Sequence, residues 1–184
     1  MTPINRTELQ NSNRPLILKK ALSNKILVID GAMGTALQQK QLSAQDFGGE
    51  AFEGCNEYLV LTRPDVVREI HESYLKAGCD IILTNTFGGT PLVLDEYQLG
   101  SKAHEINLEA ARLAGFLAEK YSTPDKPRFV AGSMGPTTKA ISVTGGITFS
   151  ELTETFYVQA KALLEGGVDY FLLETCQDTR NIKA

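Results

Sequence analysis

The chain has 184 residues, 42% hydrophobic and 22% charged, a composition suited to a globular domain with one core. A formal net charge of −4, with no basic run longer than Lys19-Lys20, excludes a surface built to neutralise nucleic-acid phosphates. No segment approaches the about 20 apolar residues of a membrane span, and Leu16-Ile17-Leu18 followed by two lysines is no secretory signal, so the cytoplasm is the expected location.

Residues 1–24 read as an N-terminal arm, and residues 25–184 as the domain. The first apolar run, Ile26-Leu27-Val28-Ile29, is expected to be a strand, and it enters Asp30-Gly31-Ala32-Met33-Gly34-Thr35. An insertion over 36–61 separates it from a helix over 62–77, with Thr62, Pro64 and Asp65 as the start signal. Val66, Val67, Ile70 and Tyr74 form its apolar face, and Gly78 stops it. Ile81-Ile82-Leu83 is a second strand, running into Thr84-Asn85-Thr86-Phe87-Gly88-Gly89. A helix over 101–121 follows, with Ser101 as its cap and Ile106, Ala110, Leu113 and Leu117 as its stripe.

Phe129-Val130-Ala131 is the third strand, ending in Gly132-Ser133-Met134-Gly135-Pro136-Thr137, and a second insertion covers 133–148. Thr148 and Glu151 have capping-box spacing for a helix over 148–165, with Leu152, Phe156, Ala160 and Leu164 facing inward and Gly166-Gly167 ending it. Tyr170-Phe171-Leu172-Leu173 is the fourth strand, entering Glu174-Thr175. All four runs read as strands buried on both faces. Their alternation with helices predicts a parallel sheet with right-handed crossovers. A closed barrel of eight strands takes about 250 residues, so the fold class is α/β, four strands forming the first half of a (β/α)8 barrel. A self-sufficient four-strand flavodoxin-like domain is the alternative.

Every polar cluster follows the C-terminal end of a strand, the rim on which such barrels build their sites. The Asp30 loop suits the zwitterionic head of an amino acid, its backbone amides meeting a carboxylate and Asp30 an ammonium. It reads equally well as a tight turn in which Asp30 caps a helix. Glu174 ends its strand as a catalytic or ligand-binding acid would, or as one partner of a salt bridge to a neighbouring strand. Asn85 and Thr86 add a donor and an acceptor, and Ser133-Met134-Gly135-Pro136 reads as a shaped turn or a mere connection. The cysteines at 55, 79 and 176 are widely spaced, with no paired motif, so neither a disulfide framework nor a metal site is expected from them. His71 and His104 read as ordinary helix residues.

These clusters together resemble the homocysteine S-methyltransferase family, and within it the homocysteine-binding domain of the cobalamin-dependent members. The resemblance runs from about Ile26 to Ala184. It is carried by Leu27 through Thr35, by Asp46-Phe47-Gly48-Gly49-Glu50 with Gly54 through Pro64, by Ala77 through Phe87, by Ala131 through Thr137, and by Gly167-Val168-Asp169 through Thr175. It implies a barrel that binds homocysteine and transfers a methyl group to its sulfur, forming methionine. Asp30 and Glu174 would hold the ammonium, and the Gly31 and Ala32 amides the carboxylate. The resemblance also implies a Zn2+ ion whose cysteine ligands are expected downstream of residue 184, so the chain alone is expected to be an inactive fragment. Methylcobalamin and methyltetrahydrofolate modules are expected further downstream. A betaine- or S-methylmethionine-dependent enzyme is the alternative within the family, the betaine case disfavoured by the absence of tryptophan. A non-catalytic half-barrel that binds an amino acid is the alternative outside it.

Overall fold

The computed structural model describes residues 14–139, 141, 145–176 and 178–184. The first thirteen positions of the expected arm, and 140 and 142–144 of the second insertion, lie outside the described residues. The rest of the arm is a helix, α1 (Arg14–Asn24). After it come α2 (Met33–Gln38), α3 (Leu59–Thr62), α4 (Pro64–Ala77), β1 (Ile81–Leu83), α5 (Pro91–Leu94), α6 (Ala103–Tyr121), β2 (Phe129–Met134), α7 (Phe149–Gly166), β3 (Tyr170–Leu173) and α8 (Thr179–Lys183), with short 3-10 turns between some of them.

The sheet is parallel, in the order β1-β2-β3, with Ile81 beside Phe129 and Ala131 beside Tyr170. It has three strands among the described residues where four are expected from the sequence. The first run, 26–29, makes a single parallel bridge, Ile29 to Ile81. The cause is Asp80. Its carboxylate accepts the Val28 N–H at 3.0 Å, so a side chain replaces the backbone partner a ladder would supply. Lys25 holds the same carboxylate at 2.7 Å.

The expectation of burial on both faces holds for β1 and β2 but not for the outer runs. Ile82 and Val130 point towards the α4 and α6 side, packing with Leu75, Ala114 and Leu117. Ile81, Phe129 and Ala131 point to the other face, where Leu18 and Ala21 of α1 cover them. Ile26 is 91% exposed, and Phe171 and Leu173 stand beside a groove lined also by Met134, Phe156 and Ile182. Arg14 anchors α1 beneath the sheet. It grips both oxygens of Asp169 at 2.6 and 2.8 Å and donates to the Arg128 carbonyl. This bidentate geometry is the strong form of a charge-assisted bond.

The helix signals are honoured with two shifts. Thr148 and Glu151 form the expected reciprocal cap, and Gly78 and Gly167 end their helices in the left-handed conformation. Thr62 does not cap α4; it ends α3, and Arg63 stands before Pro64 with its guanidinium on Asp65. Ser101 does not cap α6 either. A 3-10 turn over Gly100–Lys102 feeds directly into the helix, and the Ala103 N–H finds the Gly100 carbonyl. On α7, Leu163 is buried where Leu164 is expected, because Leu152, Gln159, Leu163 and Gly166 share the stripe facing the interior.

α6 and α7 form the most extensive helix contact in the fold. Gly166 makes their close approach feasible. A Cβ there would lie 2.4 Å from the Ala111 Cβ and 3.0 Å from the Leu108 carbonyl oxygen, neither of which can swing away. Gly166→Ala therefore gains about 1 kcal/mol of helix propensity but forces the helices apart, an overpacking cost of about 1–3 kcal/mol. The expected result is a lower midpoint in chemical denaturation. A midpoint at or above that of the parent chain would show that the crossing is not tight at this point.

Candidate active site

The C-terminal ends of the 26–30 segment and of β1, β2 and β3 form one rim. Asp30 reaches it through backbone pairing, its N–H donating to the Ile81 carbonyl at 2.9 Å. Its side chain is only 2% exposed, and one carboxylate oxygen accepts the Leu83 N–H at 3.1 Å. The other, Oδ1, is buried without a partner. Burial pushes the Asp30 carboxyl up to about 7; the Leu83 bond opposes this, and the charge of Glu174 adds to it. The two acids expected to act together are thus close enough to feel each other's charge. Asp30 is not a helix cap. The position before α2 is Ala32, which makes no side-chain cap bond.

Gly31 is required by a close approach. A Cβ there would meet the Tyr74 hydroxyl at 2.8 Å, so only glycine lets that phenol lie against the loop. A Cβ on Gly34 would meet nothing within 4 Å, so the same loop is open on its other side.

Glu174 follows β3 and is half-buried, with its N–H on the Met134 carbonyl at 3.2 Å. The Ser133 hydroxyl donates to its Oε1 at 2.5 Å. Thr175, next in the chain, has φ of 59°, the left-handed region that a β-branched residue seldom enters. The strand therefore turns sharply at its tip and leaves Glu174 as its last extended residue.

Behind Glu174 lies a ring of buried hydroxyls. Thr84 Oγ1 accepts the Ser133 N–H at 3.0 Å and pairs with Thr86 Oγ1 at 2.6 Å, and Thr86 Oγ1 donates to the Ser133 carbonyl at 2.8 Å. One hydrogen-bond direction satisfies all three: Thr84 donates to Thr86. Gln159 from α7 donates to the Thr86 carbonyl at 2.7 Å, and Asn107 from α6 to that of Gly89 at 2.6 Å. Both outer helices thus tie the loop after β1 in place.

Two of the expected binding side chains are already engaged. Asn85 donates to the Asn56 carbonyl at 2.7 Å, and Thr86 is fully buried in the ring. Sequence reasoning left Ser133 open and passed over Glu57, whose Oε1 accepts the Gly88 N–H at 2.8 Å. No local pattern in the first insertion singles out Glu57; in the fold it stands between the buried Cys55 and Leu59. His104 is a surface residue, 2.8 Å from Glu165, whereas His71 is fully buried below Asp30.

The described residues do not make a metal centre: no three histidine, cysteine or acidic side chains converge. Burial pushes the Cys55 and Cys79 thiols up to about 11 and raises that of Cys176, the opposite of what a metal-binding thiolate needs. No described helix is long and apolar enough to cross a membrane.

A parallel sheet between helices, whose strand tips carry two acids, a glycine-containing loop and a hydroxyl ring, is an α/β fold. Residues 27–184 match the homocysteine S-methyltransferase family, and the chain belongs to it. Among solved structures, the chain is similar to the Escherichia coli homocysteine methyltransferase MmuM. The metallated form matches at a TM-score of 0.73 and 22% identity, over 92% of this chain and 60% of that one. The oxidised form matches at 0.73 and 24%, over 90% and 59%. The chain thus spans about three-fifths of the length of these neighbours.

The Asp30 carboxyl, ordinarily at 3.8, titrates near 7 in the fold, so its contribution to stability is present at low pH and lost as pH rises through about 7. His71 has the opposite sign. Burial lowers it from 6.5 to about 4, so its contribution is present above 6.5 and lost as pH falls towards 4. Asp30→Asn keeps an acceptor for the Leu83 N–H but cannot ionise. Its melting temperature relative to the parent chain should be higher at pH 8 than at pH 5. A difference independent of pH would contradict the raised carboxyl.

Proposed function

We propose that the chain binds homocysteine at this rim, as the substrate-binding part of a methionine-forming methyltransferase of the cobalamin-dependent methionine synthase type. One observation supports it above the others: a buried carboxylate oxygen with no partner, Asp30 Oδ1, within reach of the charge of a second acid, Glu174, at the end of β3. An unpaired buried acceptor is costly, and an ammonium group would relieve that cost. In this reading Asp30 and Glu174 share the homocysteine ammonium, and the Gly31 and Ala32 amides receive its carboxylate. Asn85 and Thr86 shape the rim from within, their side chains being committed to Asn56 and Ser133. Because the Asp30 side chain lies below the surface, binding includes local uncovering of the 30–34 loop.

The reaction joins a methyl group to the homocysteine sulfur: the thiol loses its proton, a sulfur lone pair forms the new S–C bond, and the bond between methyl group and donor breaks with its electron pair left on the donor. A free thiol titrates near about 8.5, so little is thiolate at neutral pH. The resemblance assigns thiol activation to Zn2+ on ligands downstream of residue 184, and this chain's own residues take no part in it. What they do is hold the amino-acid head. The donor in this reading is methylcobalamin, recharged by a methyltetrahydrofolate module, and the enzyme is cytoplasmic. The segment 46–64 that carries this part of the resemblance is tightly built: Asp46 accepts from the Ser43 N–H and hydroxyl and pairs with Arg63.

Calorimetry of homocysteine binding to the full-length gene product tests the assignment. Glu174→Gln and Asp30→Asn should each weaken binding by about 1.5–3 kcal/mol, the loss of one charge-assisted hydrogen bond. Affinity unchanged in both variants would remove these acids from the site.

A further inference from the structure

Beneath the rim, His71 of α4 is 0% exposed, and both of its ring nitrogens are buried without a hydrogen-bond partner. Its Nδ1 lies 4.0 Å from Asp30 Oδ2, and Asp30 Oδ1 is the third unpartnered buried atom of the pair. A buried imidazole with two idle nitrogens has no packing rationale of its own, since a leucine of similar volume would fill the space without desolvation cost. A neutral ring carries one proton. On Nδ1 that proton faces the Asp30 carboxylate, and closing the gap by about 1 Å makes an ordinary hydrogen bond. On Nε2 it is an unpaired buried donor.

We propose that His71 is a positioning residue for Asp30: its neutral ring, protonated on Nδ1, donates to the Asp30 carboxylate from below and leaves Oδ1 free for a cationic ligand. The proposal rests on the functional reading only for the identity of that ligand, the homocysteine ammonium. A neutral donor suits the task. It stabilises the ionised carboxylate, which burial disfavours, without adding a positive charge that would repel an ammonium. Burial keeps the ring neutral, lowering it to about 4. Glu174 at the end of β3, Cys79 after α4 and Tyr170 on β3 are the other described titratable groups whose fields reach Asp30 or feel it.

The test is nuclear magnetic resonance on the full-length gene product, with histidine 15N and aspartate side-chain 13C labels. In the parent protein at neutral pH the His71 ring should be the Nδ1-protonated tautomer; the Nε2-protonated form overturns the proposal whatever the variants do. His71→Leu should raise the midpoint of the Asp30 titration by about one pH unit, the equivalent of one lost hydrogen bond. His71→Asn, whose amide nitrogen stands where Nδ1 stands, should return it most of the way. An unchanged midpoint in His71→Leu also overturns it. Homocysteine is then added to the parent protein. If the tautomer and the midpoints are as stated and homocysteine still does not bind, the coupling of His71 to Asp30 stands and the identity of the ligand falls.

Discussion

The rim depends on the hydrogen bonds that join the ends of β1 and β2. Beyond Leu83 the backbone still supplies the Thr84 N–H to the Ala131 carbonyl and the Gly135 N–H to the Phe87 carbonyl, and side chains supply the further bonds that keep the loop in register. Thr84 and Thr86 supply them, both bonding to the backbone of Ser133. The Ser133 hydroxyl is thereby left to face Glu174. The same residue therefore closes the sheet on one side and orients an acid on the other. Buried polar groups of this kind are costly unless fully paired, and a satisfied ring specifies one arrangement of the loops. The amide nitrogens of Gln159 and Asn107 tie the outer helices to the same loop, while their amide oxygens are buried without partners.

Much of this was readable from residues alone. The glycine stops at Gly78 and Gly167, the capping box at Thr148 and the strands β1, β2 and β3 follow from local chemistry that tertiary packing does not overrule. The first run was misread because its composition is that of a strand, while its hydrogen bonding is decided by Asp80, a residue some fifty positions away in sequence. Ser101 and Thr62 have the chemistry of caps, but preceding turns had already supplied partners for the helix starts. In each case a long-range or neighbouring element replaced the local signal.

The site divides in the same way. Asp30 and Glu174 stood out because each is an acid directly after an apolar run, and the structure places both at strand ends, with the charge of Glu174 reaching Asp30. Asn85 and Thr86 were legible as polar residues at a strand end, but not as residues whose side chains are committed inward; that follows from the position of the 56–58 turn and of Ser133. His71 carried no signal at all. On a helical wheel it is one more residue near the apolar face, and only its depth and its distance from Asp30 set it apart.

The tether of the first run has a consequence for how the molecule breathes. β2 is paired with β1 over Phe129–Ala131 and with β3 over Ala131–Met134, whereas residues 26–30 hang from β1 by one bridge, the N–H and carboxylate of Asp80 and the Asp30 side chain. Local opening free energy scales with what must be broken, so this stretch belongs to the least protected part of the sheet. Its amides would exchange with solvent long before those of β2. The buried acid Asp30 is thus carried on the segment that can leave its place while the remaining strands stay folded.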